Sequence, residues 1–397
     1  MNREVKKAVR IGSLCTIAYL AVYVARHILG VVSPGMIRSG SYTEAYIGTI
    51  STGYLVAYAC GQLINGAIGD KIIARYMISG GLLGAGLCNL ALPFAPDLIT
   101  TTIIYSASGF FLSMIYGPMT KVSSENVKQE YVARVALGYT FASLLGSPLA
   151  AVIAMLVNWQ GAFLVCGGVL TGMAVVAFLS FLRMEKKGII VYRNSKNDRV
   201  PLRKGLKRLL EHHIIKYTLV AILTGVVRTA VVQWVTMYLC SYWGMEDTAA
   251  RATYAGVTLV MSIAPFIDTL LFYELLFKRN RAKTMLAMFG VSAAAFLALF
   301  FCKERALGIV LLTVALIANG GASTMLWSSY CPSLYKTGLV STATGYLDFT
   351  SYMGAAAGNL IISYAAPVIG WNWLVLSWAA LMGLGVLVSL KKEEQTE

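Results

Sequence analysis

The sequence predicts an all-α membrane protein whose twelve transmembrane helices form two pseudo-symmetric six-helix bundles. Hydrophobic residues make up 57% of the 397-residue chain, charged residues make up 13%, and the mean hydropathy is +0.68. A soluble protein of this composition would aggregate. Twelve runs approach the roughly 20 apolar residues that cross a bilayer. Only a helix satisfies its own backbone hydrogen bonds within such a run.

The predicted spans fall into two equal sets on either side of one long polar stretch. They cover residues 11–33, 46–68, 76–95, 98–120, 132–155, 159–182, 214–241, 252–276, 284–302, 306–330, 341–366 and 369–390. We therefore expect an N-terminal bundle of residues 1–183, a basic cytoplasmic linker of residues 184–213 and a C-terminal bundle of residues 214–397. Paired bundles of this kind hold a ligand site near the bilayer midplane, between the repeats.

The formal net charge is +15, and most of the basic residues lie in loops predicted on one side of the membrane. This distribution argues against a nucleic-acid partner. Lys and Arg fall at the termini, in the linker and in alternate loops. The predicted loops on the opposite side contain only Arg38, Arg251, Lys303 and Arg305. This asymmetry predicts cytoplasmic termini. We expect a multi-pass monomer in a bacterial inner membrane, with lipid and a small anionic solute as its partners.

Several classes of site are disfavoured by the spacing of polar residues. The seven cysteines include no Cys-x-x-Cys pair and lie mostly in predicted spans, where they behave as small apolar residues. There is no Gly-x-x-x-x-Gly-Lys-Ser/Thr loop for ATP. No His, Asp and Glu cluster has catalytic or metal-ligand spacing. We expect no cofactor, no metal and no enzymatic activity.

Two arginines interrupt predicted spans at matching depths. Arg26 lies in the first span and Arg228 in the seventh, which is the first of the second half. A charge at mid-membrane costs from about 2.5 to more than 10 kcal/mol. Two such costs at equivalent positions favour a shared anionic ligand, because a planar guanidinium suits phosphate or carboxylate. The alternative is that each arginine reaches outward to the headgroups or pairs with a buried acid.

Neighbouring polar residues are consistent with a ligand cavity. Tyr19 and Tyr23 precede Arg26 by seven and three residues and so share its helix face. Gln233 follows Arg228 on the flank of the equivalent face. Two acidic residues, Asp268 in the eighth span and Asp348 in the eleventh, are candidate partners for the arginines or candidate proton carriers.

The loop between the second and third spans, "NGAIGDKIIARY", resembles a motif of the major facilitator superfamily. The matching residues are Gly66, Asp70, Lys71 and Arg75, although Ile73 stands where the motif has a later glycine. The resemblance implies the major facilitator fold. It also implies that Asp70, Lys71 and Arg75 belong to a cytoplasmic latch between the two bundles.

Within that superfamily the chain resembles the organophosphate:phosphate antiporters, which include glycerol-phosphate and hexose-phosphate transporters. The resemblance rests on "YVAR" in the first span and on Arg228, Trp234, Tyr238 and Leu239 in the seventh. It implies that Arg26 and Arg228 bind the substrate phosphate. The chain departs from the family at four positions. His27 and Gln62 stand where the family has lysines, Ser143 stands where it has a histidine, and Asp348 stands where it has a small residue.

These observations predict a secondary transporter of a small organic anion: a phosphate ester, a phosphonate or a carboxylate. Alternating access would favour anion exchange, because a bound anion screens the repulsion between the two arginines. Two alternatives stay open. One is proton-coupled symport through Asp268 or Asp348, and the other is a transporter-like membrane sensor of such an anion.

Overall fold

The computed structural model describes residues 3–69, 72–95, 97–192, 213–278, 280–334 and 340–390. Every regular element within these ranges is helical. The first half contains seven α-helices and one short 3₁₀ turn after the third of them. They are α1 (Arg3–Arg38), α2 (Glu44–Gly69), α3 (Ala74–Ala91), the 3₁₀ turn (Leu92–Phe94), α4 (Leu98–Ser113), α5 (Tyr116–Asn126), α6 (Gln129–Leu156) and α7 (Trp159–Lys186).

The second half contains α-helices that are interrupted or extended by three π-helical segments. In chain order they are α8 (Ile214–Gly225), π1 (Val226–Val231), α9 (Val232–Ser241), α10 (Asp247–Asp268), π2 (Thr269–Leu276), α11 (Arg281–Phe301), α12 (Arg305–Thr324), π3 (Met325–Tyr330), α13 (Cys331–Ser333), α14 (Val340–Ile369) and α15 (Trp371–Leu390). Short π-helical segments of this kind occur frequently at functional sites.

Eleven helices of the described chain are long and apolar enough to cross a membrane. They correspond to eleven of the twelve predicted spans. The eighth prediction, residues 252–276, falls on α10 and π2, which are not among the eleven. The all-α membrane fold is confirmed, and the helices extend beyond several predicted limits, since α1 already begins at Arg3.

The described residues form two compact units. The first comprises those of residues 1–197 together with Glu246–Leu259, and the second comprises those of residues 198–245 and 260–397. The first part of α10 therefore packs with the first unit, although we expected all of residues 214–397 to form one bundle. The predicted limits of the bundles and of the linker stay predictions.

Helix pairs within each unit pack closely and leave apolar side chains on the outside. In the first unit α1 packs on α6, α2 on α4 and α3 on α7. In the second unit α8 packs on α14, and α11 packs on both α12 and α15. Ile17, Val169 and Leu387 are among many large apolar residues that are more than half exposed, as lipid-facing positions require.

Local capping explains where α4 begins. The carboxylate of Asp97 accepts hydrogen bonds from the backbone N–H of Thr100 at 2.8 Å and from its hydroxyl at 3.0 Å. These bonds satisfy donors that the first turn of a helix leaves open. They hold the pKa of Asp97 below its ordinary value, with the backbone N–H of Thr100 as the largest cause.

Candidate functional site

Arg26 lies in the middle of α1, twelve residues before the helix ends at Arg38 and so about 18 Å from that end. The residue is buried, with 8% of its surface exposed. Its guanidinium carbon lies 4.8 Å from the ring centre of Tyr58 on α2 and 5.4 Å from that of Tyr23 on α1. Both rings offer a negative π face to the cation. The guanidinium is therefore buried within the first unit, against tyrosine rings of α1 and α2.

The position of α1 depends on a close approach to α6. A side chain at Gly146 would overlap Cβ and the backbone of Tyr23. Only glycine allows two helix backbones to approach so closely. This contact places the turn of α1 that precedes Arg26 and fixes Tyr23 beside it.

Other predicted site residues of the first unit join the same aromatic group. The hydroxyl of Tyr19 donates to that of Tyr23 at 3.4 Å, and the Tyr19 ring stacks on Tyr116 with centroids 5.4 Å apart. Gln62 donates from Nε2 to the hydroxyl of Tyr58 at 2.8 Å. Tyr19, Tyr23 and Gln62 are therefore linked to Arg26 directly or through one ring.

His27 and Ser143 are two further predicted site residues, and each has a contact within its own helix. The His27 ring is half-buried, and its centre lies 6.0 Å from that of Tyr23. The Ser143 hydroxyl donates to the carbonyl of Thr140 at 2.7 Å, within its own helix. His27 is thus adjacent to the aromatic group, and the hydrogen bond of Ser143 stays inside α6.

Arg228 lies on π1, thirteen residues before the end of α9 at Ser241, which is about 20 Å along a helix. It is half-buried, and its guanidinium carbon lies 5.8 Å from the ring centre of Trp327 on π3. A side chain at Gly225 would overlap Ser351 of α14, so α8 and α14 approach closely just before this turn. Each arginine therefore lies about 18 to 20 Å from the C-terminal end of its own helical segment, beside at least one aromatic ring.

The surroundings of Arg228 include several polar groups. Asn319 donates from Nδ2 to the carbonyl of Thr224 at 3.4 Å, one helical turn before Arg228. The Nε2 atom of Gln233 is buried and has no hydrogen-bond partner among the described residues. Within the described part of the chain, no carboxylate lies within 4 Å of the Arg228 guanidinium.

The two acidic candidates are placed differently. The side chain of Asp268 lies outside the described residues. Asp348 is half-buried on α14, close enough to Cys331 to act on the pKa of its thiol. Burial is the largest effect, and with Asp348 it raises that pKa to about 11, while the hydrogen bond to Thr344 and the charge of Arg281 oppose the increase. Asp348 therefore belongs to a cluster with Cys331 and Arg281.

The predicted latch is described only at Arg75, because Asp70 and Lys71 lie outside the described residues. Arg75 donates to Glu185 at 2.5 Å and to the Tyr76 hydroxyl at 2.9 Å, and its guanidinium lies over the rings of Tyr76 and Phe178. All of these residues belong to the first unit. Arg75 thus joins the start of α3 to the end of α7.

Tyr192 completes this group of side chains. Its hydroxyl donates to the other oxygen of Glu185 at 2.8 Å. Burial, followed by the hydrogen bond to Glu185, raises the pKa of Tyr192 above its ordinary value, so the hydroxyl stays protonated and remains a donor at physiological pH.

A second ionic group fastens the start of α10 to α1 and α6. Arg38 pairs with Asp247, and Arg251 lies 3.7 Å from the same carboxylate while donating to the carbonyl of Ala154. Arg251 is only 7% exposed. The expectation that it is a loop cation is therefore wrong, because α10 begins five residues before the predicted span and carries Arg251 into the packed part of the unit.

Sequence reasoning missed the residues that support the two arginines. Tyr58 and Trp327 are 32 and 99 residues away from them in the chain, and a lone aromatic residue in a span is typical of packing. Glu185 was also not singled out. Tyr58, Trp327 and Glu185 are recognised by their contact with an arginine side chain. These contacts are visible only in the folded chain.

Comparison with known proteins identifies the fold family. The family model described as "Major Facilitator Superfamily" matches residues 15–358. The chain belongs to the Major Facilitator Superfamily. It is accordingly a multi-pass integral membrane protein of a transporter family and not an enzyme.

Several relatives resemble this superfamily member over most of its length. "Membrane sensor protein UhpC" of Salmonella typhimurium is 20% identical over 94% of this chain and 89% of its own length. "Sugar phosphate exchanger 3" of Homo sapiens is 21% identical over 85% of this chain and 77% of its own. A "Probable sugar efflux transporter" of Helicobacter pylori is 29% identical, but over only 34% of this chain and 35% of its own.

Solved structures confirm the superfamily fold. An inward-facing, unoccupied bacterial homologue of the human lysosomal transporter Spinster matches with a TM-score of 0.78 and 13% identity, covering 98% of this chain and 97% of that one. A D-xylose–proton symporter matches with a TM-score of 0.72 and 11% identity, covering 96% of each chain. At these identities the likeness concerns the fold.

Proposed function

We propose that this superfamily member is a secondary transporter of a small organic anion, with Arg26 and Arg228 as its anion-binding residues. The observation that carries the proposal is the pair of intramembrane arginines at similar depth, each in contact with an aromatic ring. Such costly charges mark ligand pathways in membrane proteins. The substrate is a phosphate ester, a phosphonate or a carboxylate, and transport proceeds by alternating access with anion exchange.

The surroundings of each arginine support this role. The guanidinium carbon of Arg26 lies over the rings of Tyr23 and Tyr58, and a guanidinium is suited to bind a planar or tetrahedral oxyanion. Arg228 lies on a π-helical turn with its guanidinium carbon 5.8 Å from the ring centre of Trp327, so a second intramembrane arginine is also accompanied by an aromatic ring.

A transport assay distinguishes the possible modes. Purified protein in liposomes is tested for uptake of labelled phosphate, with and without phosphate trapped inside. Uptake that requires internal phosphate supports exchange, and uptake that follows an imposed pH gradient supports symport. Arg26→Lys and Arg228→Lys should abolish most of the uptake. The matched control is Arg38→Lys, which changes an arginine at the end of the same helix as Arg26, where the side chain is 55% exposed.

A second candidate function is sensing without transport. It is favoured by the likeness to "Membrane sensor protein UhpC", which covers 94% of this chain. A sensor would bind the anion through the same arginines but would not release it on the other side. Binding of phosphate in detergent without uptake into liposomes would favour this function and overturn transport.

A further inference from the structure

Trp327 lies beside Arg228 and was not among the residues that the sequence indicated. It is on π3, its ring centre lies 5.8 Å from the guanidinium carbon, and both residues belong to the second unit. Arg228 itself is on π1. Two π-helical segments thus contribute one residue each to the same contact. A π-helical turn changes the direction of the side chains that follow it, and such turns are frequent at functional sites.

The indole N–H of Trp327 is a buried donor with no acceptor in the described part of the chain. Its Nε1 atom is shielded from solvent and has no hydrogen-bond partner among the described residues. Leaving a buried donor unsatisfied is unfavourable, so such atoms need an explanation. The Nε2 atom of Gln233, five residues after Arg228, is in the same condition. Among the described residues, the ring beside Arg228 thus carries one donor without an acceptor, and a second such donor follows Arg228 by five residues in the chain.

Donors around a cation are the complement of an oxyanion. A phosphate or phosphonate group has several acceptor oxygens, and a guanidinium satisfies only some of them. An indole N–H is a donor only, so it can serve an acceptor on the ligand but cannot bind a cationic group. The Arg228 guanidinium and the indole N–H beside it therefore favour a ligand group with more acceptor oxygens than the guanidinium alone can bind.

We propose that Trp327 is a further ligand-binding residue, whose indole N–H donates to an oxygen of the phosphate or phosphonate group that Arg228 binds. Its ring meanwhile holds the guanidinium by a cation–π contact. This inference rests on the proposed function, and it adds a neutral donor and a specificity for oxyanions with three or more acceptor oxygens.

The test is Trp327→Phe, which keeps an aromatic face for Arg228 and removes the N–H donor, although it also replaces the indole by a smaller ring. The matched control is Trp378→Phe. Trp378 is a buried residue of the same unit whose Nε1 also lacks an acceptor among the described residues, but it packs on Tyr238 and Phe296. Affinity for inorganic phosphate is measured by titration calorimetry in detergent. Intrinsic fluorescence on addition of phosphate is recorded for the same proteins.

We expect Trp327→Phe to weaken phosphate binding by about tenfold to a hundredfold, the value of one charge-assisted hydrogen bond. Trp378→Phe should bind as the wild type does. The fluorescence change should persist in Trp378→Phe and be lost in Trp327→Phe. Trp327→Tyr, which restores a donor on a ring, should recover part of the affinity.

Different outcomes overturn different statements. Wild-type affinity and an unchanged fluorescence response in Trp327→Phe overturn the role of Trp327 and leave the proposed function standing. Wild-type affinity in Arg228→Lys overturns the proposed function as well. If the wild-type protein does not bind phosphate at millimolar concentration, the oxyanion specificity is wrong. If Trp327→Phe and Trp378→Phe lose affinity equally, the effect is one of packing and the inference is wrong.

Discussion

Arg26 and Arg228 have the same charge and a similar depth, but the two units support them differently. Arg26 lies on the unbroken helix Arg3–Arg38, is 8% exposed and contacts two tyrosine rings. Arg228 lies on a π-helical turn, is half-buried and contacts one tryptophan ring. The comparison teaches that two units of one chain can each carry an intramembrane arginine in surroundings of different helix type, burial and aromatic contact. We expect Arg26 to be the preorganised ligand residue and Arg228 the adjustable one.

The largest effect should come from replacing each arginine by lysine. Lysine keeps the charge and loses the planar two-donor fork. Loss of one charge-assisted hydrogen bond of about 1.5–3 kcal/mol weakens binding of phosphate by roughly tenfold to about 150-fold. Arg26→Lys should lose more, because the rings of Tyr23 and Tyr58 fix the arginine in place. Titration calorimetry measures both, and equal losses would remove the proposed difference between the units.

The next effect concerns Arg75 and Glu185. Their side chains are 10% and 19% exposed, so Glu185→Gln leaves a largely buried cation without its carboxylate. We expect the free energy of unfolding to fall by about 1.5–3 kcal/mol, measured as a lower melting temperature in detergent. Phosphate affinity should stay within about threefold of the wild type. A large loss of affinity with unchanged stability would place Glu185 in the ligand site instead.

Asp70→Asn tests the predicted latch separately from the packing around Arg75. The loop motif predicts a shift in conformational balance with ligand affinity within each state unchanged. Cysteine accessibility from the two membrane sides reports that balance. An accessibility pattern identical to the wild type would contradict the latch.

A smaller effect is expected from substitutions of Tyr58. Two variants distinguish the contribution of its ring from that of its hydroxyl. Tyr58→Leu removes the cation–π contact with Arg26, worth about 0.5–2 kcal/mol, and should weaken phosphate binding by about 2- to 30-fold. Tyr58→Phe keeps the ring and removes only the hydroxyl that accepts from Gln62 at 2.8 Å. It should stay within about threefold of the wild type. If the phenylalanine variant is as weak as the leucine variant, the hydroxyl is the group that matters.

The last and most local effect is the pH dependence of labelling at the Cys331 thiol. The thiol pKa is raised to about 11 by burial and by Asp348. In a variant whose only cysteine is Cys331, the rate of maleimide labelling should increase about tenfold per pH unit up to pH 10, because only the thiolate reacts. Asp348→Asn should increase the rate at a given pH by lowering that pKa. A plateau below pH 9 would contradict the raised pKa, and an unchanged rate in Asp348→Asn would contradict the contribution of Asp348.

Most of the predictions from the sequence rest on two features: the length of the apolar runs and the charged residues within them. Run length located the helices, and the two arginines stood out because no other Asp, Glu, Lys or Arg lies within ten residues of either one. The widening of the helix at Arg228 and the contact with Trp327 depend on tertiary packing, which local sequence does not encode. Arg251 was wrongly predicted to be a loop residue. A basic residue near the end of a predicted span has the same sequence pattern whether its side chain is solvated or buried, and here it donates to the carbonyl of Ala154.

The central claim is that both arginines bind one anion, and a double-mutant cycle with inorganic phosphate tests it most directly. Affinity is measured by calorimetry for the wild type, Arg26→Lys, Arg228→Lys and the double variant. If the two side chains share a ligand, the double variant should lose less affinity than the product of the two single losses. A double loss equal to that product, or wild-type affinity in both single variants, would contradict the claim.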